Sequence, residues 1–277
     1  AARLLISAYD WQTAYAAIGI GFLALGLPLA LLVKDPPVRT AARAAAAAAA
    51  AKAGPAPDGT PATAEVAAAA MKQSVANPVN LNPTLVVAFI SAASFFCCVC
   101  MSVPIVHTVA LVSDRGIPPE AAASVLLVLM IAGIGGRIMG GKLADIIGPL
   151  PGWMVMSFGQ TALVLAFPFV DNLWATYVLA AVFGVVYSGD MASILVTARM
   201  MLPANIAARA IGVVIFFGWG GMGTGAWVGG AIFDVVGDYV WSYGVAAAGG
   251  ILSLIILGIF HMIVKGHRNR GMGLAAA

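Results

Sequence analysis

Arg137, Asp190 and His107 each stand inside an apolar run long enough to cross a bilayer. An ionisable group at mid-span costs about 2.5–3.5 kcal/mol on insertion scales, so such residues face a cavity or a partner. Arg137 offers a planar guanidinium fork that binds a carboxylate through two parallel hydrogen bonds and stays charged at any physiological pH. Asp190 falls at helical spacing with Tyr187, Ser193 and Thr197, while Ser91, Ser94, Cys98 and Ser102 make a second small-polar stripe on another run. Two such stripes and an intramembrane cation suggest a water-filled path. The candidate substrate-binding residues are therefore Arg137, Asp190, Tyr187, Ser94 and Cys98. In the empty state Asp190 is expected to neutralise Arg137, and an arriving anion to compete for the same fork. The plainer alternative is a structural ion pair between neighbouring helices. His107, near the end of its run, is a candidate for the outer mouth or for coupling, with packing as its alternative.

Other chemistries lack their residues. Cys97, Cys98 and Cys100 share one apolar run with no His or Asp at metal-ligand spacing, so neither a disulfide framework nor a metal site is expected. No phosphate-cradling glycine loop and no catalytic constellation is present. The expectation is a non-enzyme without cofactor, metal or nucleic-acid partner, acting on a small molecule within a lipid bilayer.

The elements that must position these residues follow from composition. Of 277 residues, 62% are hydrophobic and 9% charged, against about 25% charged in a soluble domain. Backbone in lipid must satisfy its own hydrogen bonds, and the apolar runs are continuous rather than alternating, so they are helices and not barrel strands. The candidate spans are 14–33, 84–112, 121–141, 152–170, 173–200, 208–233 and 242–264. The apolar stretch 1–6 is too short to span and reads as the stump of a preceding helix, which makes the chain a fragment of a longer transmembrane bundle. The expected organisation is an amino-terminal part over 1–33, a largely disordered linker over 34–83 with an Ala run and a Pro/Gly-rich stretch, a six-helix bundle over 84–264 and a tail over 265–277.

Charge sets the orientation. One side carries Lys34, Arg39, Arg43, Lys52, Lys72, Lys142, Arg199, Arg209, Lys265, Arg268 and Arg270, and the other only Arg3 and Arg115. The basic side is the cytoplasmic one, so the carboxy terminus lies inside the cell. Asp145 and Arg199, both at inner helix ends, are expected to pair as a cytoplasmic gate. Gly136 with Gly140, and Gly221 with Gly225 and Gly229, have the spacing that lets helix backbones approach closely in lipid.

The segment Gly141-Lys-Leu-Ala-Asp145-Ile-Ile-Gly148 resembles the cytoplasmic signature of the major facilitator superfamily, although Ile146 and Pro149 stand where basic residues are usual. Ser102-Val-Pro-Ile-Val-His107, then Asp114-Arg-Gly-Ile-Pro and Ala121-Ala-Ala, look like the seventh helix and following loop of the monocarboxylate and oxalate–formate porter branch. Gly136-Arg137-Ile-Met-Gly140 looks like its eighth helix, and Phe233-Asp-Val-Val-Gly-Asp238-Tyr like the end of its eleventh.

The resemblance implies an all-α transporter of twelve helices, of which this chain holds the sixth to the twelfth, lacking the amino-terminal half. It associates Arg137 with the substrate carboxylate. The second carboxylate partner of oxalate-specific members, a Lys in the eleventh helix, has no counterpart in 208–233, so a monocarboxylate fits better than a dicarboxylate. The function expected is secondary transport of a small organic anion across the plasma membrane. The alternative is a proton-coupled drug or cation exporter of the same superfamily, in which Asp190 is the functional charge.

Overall fold

The computed structural model describes residues 81–275, together with Ile20, Ala24, Pro28 and Val79, and side-chain surroundings as far as His267. The expected span 14–33 and most of the connection 34–83 lie outside the described residues. Six α-helices make up the rest: α1 (Pro83–Asp114), α2 (Pro119–Ile147), α3 (Pro149–Val164), α4 (Leu173–Met201), α5 (Ala204–Val236) and α6 (Tyr239–Ala275). All six elements include a stretch long and apolar enough to cross a membrane, that of α3 running on through Phe169. No strand occurs among the described residues.

The chain punctuates these helices with familiar chemistry. Asn82 accepts a hydrogen bond from the Thr84 amide (3.0 Å) ahead of α1, and Asn172 caps α4 through the Trp174 amide (2.8 Å). Pro83, Pro119 and Pro149 open their helices, where a missing N–H leaves no bond unmade. Gly237, at φ 72°, closes α5 in the left-handed conformation that a β-carbon disfavours. Several bounds differ from expectation, α2 running six residues past position 141 to Ile147. The third span stops as α-helix at Val164 and turns through a 3₁₀ segment, Phe167–Phe169, where Pro168 cannot continue the ladder. The sixth helix runs on through the expected tail to Ala275.

Packing is organised around α1, whose most apolar stretch is 67% buried, against 28% in α2 and 22% in α5. The closest partnerships are α2 with α4 and α1 with α5, while α6 lies against α1 and α3. Helix α2 buries Ala122, Val125, Leu129, Gly133, Gly136, Gly140 and Ala144, one residue every three or four. Helix α5 buries Ala210, Val214, Gly218, Gly221, Gly225 and Gly229 with the same rhythm. Each is thus held by a single narrow stripe of mostly small side chains.

The glycines in these stripes let backbone meet backbone. A β-carbon at Gly136 would overlap the Val185 carbonyl, and one at Gly140 the Gly189 carbonyl. Across the other seam, Gly221 meets the Phe95 carbonyl, Gly225 meets Val99 and Ser102, and Gly229 meets His107. Lipid is as apolar as the side chains, so dispersion and interhelical hydrogen bonds must hold the helices together. Ser253 donates to the Ala93 carbonyl (2.9 Å), Ser242 to that of Gly229 (2.7 Å) and Thr197 to that of Pro149 (3.1 Å), joining α6 to α1, α6 to α5 and α4 to the start of α3.

Neighbouring glycines provide an internal control, because a β-carbon at Gly135 or Gly141 meets open space. Gly136→Val should destabilise the detergent-solubilised protein by at least the ~1–3 kcal/mol typical of overpacking. Gly135→Ala should be neutral or stabilising by up to about 1 kcal/mol through helix propensity. Thermal denaturation followed by size-exclusion chromatography separates the two, and equal melting temperatures would remove the seam from the account.

Candidate functional site

Helices α1, α2, α4 and α5 enclose a cavity of about 260 Å³, slightly smaller than the ~300–1,000 Å³ of typical small-molecule sites. The glycine seams decide what reaches it. Gly136 faces α4, and the next residue is turned about 100° around a helix of 3.6 residues per turn, which brings Arg137 to the cavity. On α5 the residues directly after the buried Val214, Gly218 and Gly221 do the same: Ile215, Trp219 and Met222 line the wall. Ser94, Cys98 and Met101 come from α1, and Tyr187, Met191, Ile194 and Leu195 from α4.

Of the five expected substrate residues, four meet in this cavity: Arg137, Tyr187, Ser94 and Cys98. Asp190 does not. It is fully buried on another side of α4, where one carboxylate oxygen accepts from the Cys97 thiol (2.6 Å) and the other has no partner. The Cys97 sulfur also lies 3.5 Å from the Ser157 hydroxyl, and Gln160 donates to the Cys97 carbonyl (3.2 Å). The expected Arg137–Asp190 pair is therefore absent, and among the described residues Arg137 has no carboxylate partner. The physical reason is angular. Tyr187 and Asp190 share a broad helix face, but three residues still leave them about 60° apart around it, enough at the edge of the cavity to put the phenol inside and the carboxylate against Cys97 of α1. Gly136 opposes Val185 and Gly140 opposes Gly189, so Asp190 also lies about one turn, ~6 Å, beyond Arg137 along the bundle.

The second stripe also divides. Ser94 and Cys98 face the cavity, Ser102 lies in the α5 seam with its hydroxyl on the Val99 carbonyl (3.2 Å), and the buried Ser91 hydroxyl has no partner. His107 is half-buried in the same seam, its Nε2 2.9 Å from the Ala226 carbonyl and its ring 5.9 Å from that of Tyr239. That contact ties α1 to α5 and to the start of α6. Asp145 and Arg199 are both exposed and do not form the expected ion pair.

One basic residue that the sequence marked only for its side of the membrane has a full set of partners. Arg115, just past α1, donates to the carbonyls of Val170, Phe167 (3.3 Å) and Pro168 (2.6 Å) and lies 3.4 Å from the Asp171 carboxylate. Its guanidinium gathers the carbonyls at the end of the 3₁₀ turn, that of Phe167 also accepting from the Val170 amide (3.5 Å). A wider opening of about 550 Å³ lies beside it, with Asp114, Asp171 and Asp238 on its rim.

The family model of the Major Facilitator Superfamily matches residues 1–170 and again 85–272, the second match spanning nearly all six helices. The chain belongs to the major facilitator superfamily. The stretch common to both matches agrees with the internal repeats of this superfamily, whose members are membrane transporters. No curated protein matches the chain.

Separation of the two charges has a thermodynamic signature. In a double-mutant cycle on melting stability, Arg137→Gln and Asp190→Asn should combine additively within about 0.5 kcal/mol, as non-contacting sites do. A coupling of about 0.5–3 kcal/mol would restore the ion pair.

Proposed function

We propose that the chain supplies helices six to twelve of a secondary transporter that moves a small organic anion, a monocarboxylate, across the plasma membrane by alternating access of two six-helix halves. The observation that carries this reading is the guanidinium of Arg137 on the wall of a small cavity, without a carboxylate partner among the described residues. A cation left unpaired in low dielectric is costly, and an arriving carboxylate relieves that cost through two charge-assisted hydrogen bonds. Tyr187 and Ser94 share the cavity and add hydroxyl donors. Resemblance of Gly136-Arg137-Ile-Met-Gly140 to the eighth helix of monocarboxylate and oxalate–formate porters supports the same assignment. The exporter reading needs Asp190 at the substrate, and the placement of Asp190 away from the cavity gives it no support.

The bundle end that carries Lys142 and Arg199 is the cytoplasmic one in this proposal, and the Arg115 end faces outward. Asp171→Cys should then react with an impermeant maleimide in intact cells, and Lys142→Cys only after permeabilisation. Labelling of both from one side would overturn the orientation.

The function itself is tested by uptake of radiolabelled monocarboxylates in cells expressing the complete transporter. Arg137→Lys keeps the charge and loses the fork. Bidentate hydrogen bonds to a charged group contribute about 1.5–3 kcal/mol, so KM should rise roughly ten- to hundredfold with surface expression intact. Unchanged KM in Arg137→Lys would sink the proposal.

A further inference from the structure

Apart from Arg137, the cavity offers a substrate little polarity. Ser94, Cys98 and Tyr187 are the polar side chains on its wall. The remainder is apolar and soft: the thioethers of Met101, Met191 and Met222, the indole of Trp219, and the branched chains of Ile194 and Leu195. Trp219 is 69% exposed on the open side of α5, its ring free to cover a bound molecule. A second carboxylate or a row of hydroxyls would exchange water for this wall without gaining donors in return. Thioethers, by contrast, adapt to irregular apolar shapes and make favourable contacts with aromatic ring edges.

Resting on the assignment of Arg137 as the carboxylate site, we infer that the substrate is an amphipathic monocarboxylate, with one anionic end for Arg137 and an apolar body of branched-chain or aromatic-ring size for the methionine and Trp219 wall. The cavity of about 260 Å³ accommodates a single ring or short branched chain beside the carboxylate. Short hydrophilic acids such as lactate and oxalate satisfy the cation and leave the apolar wall wet. They are therefore poor ligands.

The test is competition against a labelled monocarboxylate taken up by the complete transporter, using straight-chain acids from acetate to hexanoate with phenylacetate, lactate and oxalate. Burial of each methylene should lower the inhibition constant about fourfold until the cavity is full, and phenylacetate should compete better than lactate or oxalate. Trp219→Ala and Met191→Gln should flatten the chain-length series, whereas Arg137→Lys should weaken all acids by a similar factor. Inhibition constants that are level along the series, or lowest for lactate and oxalate, overturn the inference while leaving the anion porter standing. Absence of carboxylate uptake with transport of cationic compounds instead overturns both.

Discussion

Backbone contact at the two glycine seams is the constraint on which the rest of this bundle depends. Lipid offers no hydrophobic reward for bringing helices together, so α2 and α5 must be held by close dispersion contact and by the few hydrogen bonds that cross between helices. Glycine at positions 136, 140, 221 and 225 removes the β-carbon that would keep the axes apart. Once those faces are committed to the seams, the orientation of every other residue on α2 and α5 follows from the helical period. Arg137 and Trp219 reach the cavity because each directly follows a seam glycine.

The same geometry keeps the two intramembrane charges apart. On α4 the face that meets α2 includes Gly184 and Gly189, which leaves Tyr187 on one side and Asp190 on the other. Asp190 consequently sits among neutral groups, accepting from the Cys97 thiol, and does not line the cavity. Arg137 is left as the dominant field in the cavity, with the hydroxyls of Tyr187 and Ser94 beside it. An anion entering there meets a positive potential that no carboxylate among the described residues pairs with, a condition that an Arg137–Asp190 pair would have abolished.

Much of this was legible in the sequence because the signals are long or periodic. Continuous apolar runs located all six described helices, though several ends lie six or more residues from where the runs stop, and the four-residue glycine spacing picked out both seams. Arg137 was conspicuous as a charge in mid-span. What failed were inferences from approximate faces. A stripe at spacing of three and four spans a wide arc, and Tyr187 and Asp190 fall on opposite sides of its dividing line. The apolar cavity wall was invisible for a related reason, since Met101, Met191 and Met222 look like any lipid-facing or core methionine until the seams fix the rotation of their helices. A usable signal existed, in that residues just after a seam glycine turn toward the cavity. The partners of Arg115 depend on where a 3₁₀ turn ends some fifty residues away, about which local spacing carries no information.

Unequal packing gives the cavity a mechanical meaning. Helix α1 is buried over most of its apolar length and tied to α6 through Ser253, whereas α2 and α5 each bury only one stripe. A stripe of glycines has no interdigitating side chains to disengage, so in the proposed alternating-access cycle a shift of α2 on α4, or of α5 on α1, meets few steric locks. These two helices carry Arg137 and Trp219. A ligand that joins its carboxylate to one and its apolar body to the other bridges the two elements least constrained by the bundle. Its binding energy then acts where the structure can yield, because a ligand shifts a conformational equilibrium only by as much as it prefers one arrangement over the other.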